Sequence, residues 1–274
     1  MTTHERVLVT GGTGMTGRRV TDLLKQRGVD TRVGSRSGVP PFEWHDTATW
    51  DPVLEGVTGV YLCYHPDLAF PGAAEAVAAF AARAAGHGVR RAVLLSGRGE
   101  DGALAAERAV RDAFPATTLA RCSVFAQNYS ESFFTDQVRA GTTLLPVPDI
   151  AEPFIDLDDL AEVAVAALTG DGHAGRTYDL TGPRSLTFAE AAAVLSEASG
   201  RAVGHRSVTP EEYVRAAVEG GFPGELAQGL VEIFQEILDG RNTEPTDDVA
   251  LVLGRPAGDF ADYARRAART GVWG

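Results

Sequence analysis

The residues best suited to chemistry lie near the amino terminus, in Val7-Leu-Val-Thr-Gly-Gly-Thr-Gly-Met-Thr-Gly-Arg-Arg-Val20. Gly11, Gly14 and Gly17 recur at intervals of three, behind the apolar run Val7 to Val9 and ahead of Val20, Leu23 and Leu24 at helical spacing. Strand, glycine turn and helix in that order suit a dinucleotide pyrophosphate. One glycine permits the tight turn, one lets backbone approach the phosphates, and one lets the helix pack closely on the strand. The helix N-terminus then offers free N–H groups to the anion. Thr10, Gly11, Thr13, Gly14, Met15, Thr16 and Gly17 are therefore the expected cofactor cradle, with Cys63 and Ser96 joining it from later strand ends.

The choice of dinucleotide turns on the end of the second strand. An NAD site places an acid there for the ribose hydroxyls. Here the residues are Ser35-Arg36-Ser37, a guanidinium between two hydroxyls, and a guanidinium matches a 2′-phosphate in charge and fork geometry. The expected cofactor is NADPH (NADP). Asp46, a little further on, reads either as a partner of the adenine edge or as an ordinary turn aspartate.

The catalytic groups are marked by what is missing. A Tyr-x-x-x-Lys relay uses its lysine to lower the tyrosine pKa. The chain has one lysine, Lys25, late on the first helix and with no tyrosine at that spacing. Hydride transfer to an electrophilic, conjugated acceptor needs no such relay, because protein can act by proximity, orientation and exclusion of water. Candidate proton donors are His65 and Tyr64, after the fourth expected strand, and Ser96 at the end of the fifth. Each reads equally as a turn or packing residue. Phe125, Tyr129 and Phe154 are expected to line a substrate pocket, with Phe133, Phe134 and Phe222 as further aromatic candidates. Asp156 and Asp159 are assigned to helix capping.

The elements that must position these groups alternate. After the first helix, strands are expected at 31–36, 42–46, 57–63, 91–96 and 117–121. Helices are expected at 49–54, 71–86 and 103–114. Such alternation defines an α/β fold, a doubly wound parallel Rossmann sheet. The second half is less regular, with helices expected at 128–139 and 157–168 and a late strand near 176–180 that rejoins the sheet. Thr187 with Glu190 and Thr209 with Glu212 have capping-box spacing and open two further helices. The expected division is a dinucleotide domain over residues 1–150 and a smaller, mostly helical substrate lobe over 151–274, the ligand lying in the cleft between them.

The formal net charge of −12 argues against nucleic acid, which is bound through a basic face. No apolar run reaches the length of a membrane span, and Cys63 and Cys122 suggest neither a disulfide framework nor a metal site. The expectation is a cytoplasmic protein acting on a small molecule, as monomer or homodimer, with no metal and no membrane or nucleic-acid partner.

Several stretches together resemble the NmrA-like group of atypical short-chain dehydrogenases/reductases. They are the loop Thr10 to Gly17, Val60-Tyr-Leu62, Leu119-Ala-Arg121 with Gln127-Asn128, Phe154-Ile-Asp156 with Asp159, and Leu180-Thr-Gly-Pro183. The resemblance implies a Rossmann core with a small carboxyl-terminal substrate lobe, and an activity among NADPH-dependent quinone, azo-dye and triphenylmethane reductases. It also admits regulators that bind dinucleotide without turning it over. Two places depart from the family pattern: Arg121-Cys122, where Arg-Pro is usual, and the polar turn Cys63-Tyr64-His65-Pro66. The leading expectation is an NADPH-dependent oxidoreductase, a quinone reductase in type, acting on a conjugated, largely apolar acceptor such as a quinone or polycyclic aromatic. The alternatives are a dinucleotide-sensing regulator, or a non-redox isomerase or cyclase using Tyr64 and His65.

Overall fold

A computed structural model of the chain describes residues 5–132 and 134–274; Phe133 lies outside them. In chain order the elements begin β1 (Arg6–Thr10), α1 (Met15–Gln26), β2 (Asp30–Gly34), α2 (Trp50–Leu54), β3 (Gly59–Leu62) and α3 (Ala73–Gly86). Then come β4 (Arg91–Gly97), α4 (Asp101–Ala113), β5 (Thr118–Cys122), α5 (Asn128–Glu131), α6 (Phe134–Arg139), β6 (Thr142–Leu145) and β7 (Ala151–Glu152). Next are α7 (Leu157–Thr169), β8 (Thr177–Leu180), β9 (Leu186–Thr187), α8 (Phe188–Ser199) and β10 (Gly204–Ser207). The chain closes with α9 (Pro210–Glu219), α10 (Gly224–Ile237), α11 (Asp248–Leu253) and α12 (Phe260–Arg269).

These elements form two compact units. The first comprises the chain up to Cys122, with Leu157–Leu180 and Asp248–Arg255. Its sheet has the order β2-β1-β3-β4-β5-β8, every neighbouring pair parallel. The central strands β1 and β3 are buried along nearly their whole length, as in parallel sheets covered on both faces, while the edge strand β2 is polar and only partly buried. Leu8, Val60, Leu62, Ala92 and Leu94 pack with Val77, Phe80 and Ala106. The late strand at 177–180 does rejoin the sheet, beside β5. As the edge strand it would leave backbone donors open, and Asp248 Oδ2 accepts the Asp179 N–H at 2.7 Å.

One expected strand is absent. Residues 42–46 form a turn-rich loop in which the Phe42 N–H bonds the Ser35 carbonyl at 2.9 Å. Their aromatic side chains pack inward instead of alternating across a sheet: Phe42 and Trp44 meet each other at 5.0 Å and Phe80 at 5.1 and 5.4 Å. Burying those rings fixes the path of the loop without a strand ladder.

The second unit comprises Ser123–Asp156, Thr181–Asp247 and Pro256–Gly274. It is mostly helical, with two small sheets, β6 parallel to β10 and β7 antiparallel to β9. Both capping boxes form as their spacing predicts, at Thr187–Glu190 and Thr209–Glu212. The helix expected over 128–139 is broken into α5 and α6 at Ser132, whose backbone is extended. The core is aromatic. Tyr129 stacks on Phe134 at 5.0 Å, and Phe154 meets Phe188 and Phe260 at 5.2 and 5.1 Å.

Candidate dinucleotide site

The site is built at the carboxyl ends of β1, β2, β3 and β4, where the sheet order reverses direction between β1 and β3. That switch point is where open parallel sheets hold ligands. Thr10 pins the two strands together. Its hydroxyl donates to the Tyr61 carbonyl at 2.9 Å and accepts the Cys63 N–H at 2.9 Å. Beyond it Gly11 adopts φ 61°, a left-handed conformation that favours glycine, and its carbonyl accepts the Gly14 N–H at 2.9 Å. Gly17 is required by close approach: a Cβ there would stand 2.2 Å from the Gly11 oxygen and 2.8 Å from the Gly12 Cα.

The helix that follows is left open for an anion. Gly14 is the N-cap of α1 and no side chain caps the first turn, which also contains no acidic residue. The helix N–H groups and the positive end of its dipole are thus unspent. Thr13 and Gly14 are exposed, Met15 is half-buried, and Thr16 is buried with its hydroxyl 3.7 Å from the Cys63 sulfur. Cys63 packs against Gly11, and burial pushes its thiol pKa up, so it is a wall of the loop and not a thiolate.

At the end of β2, the Ser35 carbonyl receives the Gly38 and Phe42 N–H groups and closes a tight turn, with the Ser35 and Ser37 hydroxyls 3.5 Å apart. Arg36 projects from that turn, exposed, and its guanidinium has no partner among the described residues. Asp46 is spent locally, capping the short turn Thr47–Thr49 through the Ala48 N–H.

The expected proton donors are not brought together. Ser96 is 3% exposed and lies on the α4 side of the sheet, where its hydroxyl donates to Glu107 Oε1 at 2.6 Å. Glu107 is held in turn by Arg121, through Nε at 2.8 Å and Nη2 at 2.6 Å. Tyr64 turns inward, its ring 5.3 Å from Trp44 and its hydroxyl 3.3 Å from His45 Nε2, and burial raises its pKa. His65 is exposed. The network of Glu107 and Arg121 was not legible in sequence. Only the parallel register that sets Ser96 beside Arg121 reveals it.

In the second unit Tyr129 and Phe154 are 0% and 2% exposed. They are core residues rather than open lining, because each is enclosed by other rings. Phe125 is half-buried and pairs its backbone with Ile155. Gln127 Nε2 donates to Asp156 at 2.7 Å, and Arg266 pairs with it. In the first unit Asp159 is held by Arg255 at 2.7 Å. The Phe-Ile-Asp and Thr-Gly-Pro stretches have a common physical cause. The Gly182 N–H bonds the Pro153 carbonyl, and a Cβ at Gly182 would meet the Phe154 oxygen at 2.3 Å. The described residues contain no helix long and apolar enough to cross a membrane.

Sheet order, glycine loop and uncapped helix together define a Rossmann protein of the dinucleotide-binding class. No family model matches the chain. It is 31% identical to the uncharacterized oxidoreductase YesF of Bacillus subtilis, over 97% of this chain and 96% of that one. It is 30% identical to the NAD(P)H azoreductase of Xenophilus azovorans, over 94% and 96%. Among solved structures, the NADPH-dependent quinone oxidoreductase of Escherichia coli superposes with a TM-score of 0.80 at 19% identity, covering 95% of this chain and 99% of that one. NmrA, a negative transcriptional regulator, superposes with a TM-score of 0.73 at 16% identity, covering 97% and 96%. The chain belongs to the NmrA-like family of atypical short-chain dehydrogenases/reductases, as an NAD(P)H-dependent oxidoreductase.

Proposed function

We propose that the protein uses NADPH to reduce a conjugated, largely apolar acceptor of the quinone or polycyclic aromatic type. The observation that carries the choice of cofactor is Arg36, an exposed guanidinium without a partner on a turn flanked by two serine hydroxyls. A 2′-phosphate would complete that site, and an NAD ribose would leave the charge unused. The pyrophosphate would lie on the N–H groups at the start of α1, with Gly11, Gly14 and Gly17 giving it backbone access. When bound, the reduced nicotinamide supplies two electrons and one hydrogen as hydride. The chain's own part is to hold that end over the carboxyl edge of β3 and β4 and to exclude water.

The acceptor class rests on chemistry. With one lysine in the chain, on α1, no Tyr-Lys relay exists to activate an ordinary carbonyl. Azo and quinone reductions by related proteins are consistent with an acceptor that is already electrophilic. A second reading, a sensor that binds NADP(H) and a protein partner, is favoured by the likeness to a transcriptional regulator. The isomerase or cyclase reading gains no support from Tyr64, whose hydroxyl faces His45 at the rim of an aromatic core.

The deciding experiment follows absorbance of the reduced nicotinamide with NADPH and with NADH, against a panel of quinones and conjugated dyes. Consumption that needs both protein and acceptor, and prefers NADPH, is the expected result. Tight NADPH binding with no acceptor oxidising it would favour the sensor. No binding of either dinucleotide would overturn both.

A further inference from the structure

Two of the three donors expected from sequence are engaged with protein partners, Ser96 with Glu107 and Tyr64 with His45, while His65 is exposed. Reducing a quinone by one hydride produces a monoanion, and a proton must reach its oxygen. A fourth ionisable group stands at the same edge. Asp67 lies on the loop that leaves β3, four residues beyond Cys63, whose sulfur lies 3.4 Å from a Cβ built on Gly11. The loop is fixed at both ends. Cys63 is bonded to Thr10 at one, and at the other Ala69 packs so tightly on the start of α4 that a Cβ at Gly102 would lie 2.6 Å from the Ala69 oxygen. Asp67 is thereby held between the carboxyl ends of β3 and β4, the half of the switch point that takes the nicotinamide end of a dinucleotide.

Asp67 is half-buried. Oδ1 accepts the Ala69 N–H at 2.8 Å, and Oδ2 has no partner among the described residues. The ionisable group that interacts with it is Cys63, just past the end of β3, and His65 precedes it by two residues on the loop. No cation offsets the loss of hydration, so burial holds the Asp67 carboxyl above the ordinary aspartate range, while the Ala69 N–H draws it partly back. A carboxyl that keeps its proton further toward neutrality is what a general acid needs.

We propose that Asp67 is the proton donor of the reaction, giving the hydrogen on Oδ2 to the oxygen of the acceptor that becomes negative on reduction. The Oδ2–H bond breaks, the product O–H bond forms, and the carboxylate left behind is reprotonated from water. The inference rests on the reductase reading. The first test needs no turnover. In the free protein labelled with 13C, the Asp67 carboxyl, assigned by its loss in Asp67→Asn, is expected to titrate above the ordinary aspartate range. Asp67→Asn keeps an acceptor for the Ala69 N–H, so circular dichroism and NADPH binding are expected to stay unchanged. Its kcat is expected to fall on the order of 100-fold, and the alkaline decline of wild-type kcat is expected to disappear. An active wild type with an Asp67→Asn variant of equal kcat and equal pH profile overturns the donor alone. An ordinary titration midpoint does the same. A wild type that binds NADPH but passes hydride to none of the acceptors overturns the reductase reading and the donor with it.

Discussion

The glycine loop of the first unit and the aromatic core of the second are both closely packed, yet they treat their polar groups in opposite ways. In the second unit several polar groups beside the core rings satisfy one another, although the Tyr129 hydroxyl takes no part. Trp273 donates to the Tyr129 carbonyl at 2.7 Å, Tyr263 to Ser130 at 2.8 Å, and Gln127 and Arg266 converge on Asp156. At the loop, by contrast, α1 starts without a side-chain cap and Arg36 has no partner among the described residues. The difference separates packing from binding. Groups left accessible and unspent are open to a ligand, while groups that satisfy one another hold the chain.

The contrast can be broken first in the aromatic core. Phe154→Ala removes a ring packed against Tyr129, Phe188 and Phe260. A loss of about 3–5 kcal/mol in unfolding free energy is expected, measured by denaturant titration. In the same core the Tyr129 hydroxyl is buried with no hydrogen-bond partner. Tyr129→Phe is therefore expected to be neutral or to stabilise by about 1 kcal/mol. A large loss from Tyr129→Phe would mean that the hydroxyl does work the packing does not show.

Next comes the loop. Gly17→Ala forces a methyl to within 2.2 Å of the Gly11 oxygen, so the loop must open. NADPH affinity by fluorescence titration is expected to fall on the order of 100-fold or more, since both the backbone approach and the helix N-terminus are displaced. An affinity within a factor of two of wild type would sink the assignment of the loop. Arg36→Ala should act more gently and more selectively. NADPH affinity is expected to fall about tenfold, or roughly 1.4 kcal/mol, with NADH affinity and melting temperature unchanged. Equal losses for the two dinucleotides would remove the guanidinium from the 2′-phosphate.

How far the sequence carries can be judged from the same places. The strand, loop and first helix were legible because three signals agree between Val7 and Leu24: apolar run, glycine spacing and helical period. Capping boxes were legible because their physics is local. Residues 42–46 misled because Phe42 and Trp44 resemble strand residues in type, and only tertiary packing on Phe80 shows that their burial needs no ladder. Tyr129 and Phe154 read as pocket residues for the same reason: aromatic composition does not say whether a ring faces a ligand or another ring. In sequence Asp67 is an aspartate after a proline and looks like any turn residue; its setting depends on the Ala69 N–H and on the packing of Ala69 against Gly102 far along the chain.

Ser96 gives the finest test of the contrast, because sequence position and structure pull in different directions. It ends β4 beside the expected nicotinamide edge, yet its hydroxyl is buried and donates to Glu107, which also takes two guanidinium nitrogens of Arg121. Removing the hydroxyl leaves Glu107 still charge-paired, so Ser96→Ala is expected to cost about 1 kcal/mol of stability and to leave kcat and its pH profile unchanged. Removing Glu107 instead would leave the Arg121 guanidinium with only its longer pair to Asp179 and the Ser96 hydroxyl without its acceptor, and Glu107→Ala is expected to cost about 3 kcal/mol. If Ser96→Ala lowered kcat more than tenfold at unchanged stability, the hydroxyl would have to leave Glu107 during turnover. The spent and unspent groups of the first unit would then exchange roles when ligand binds.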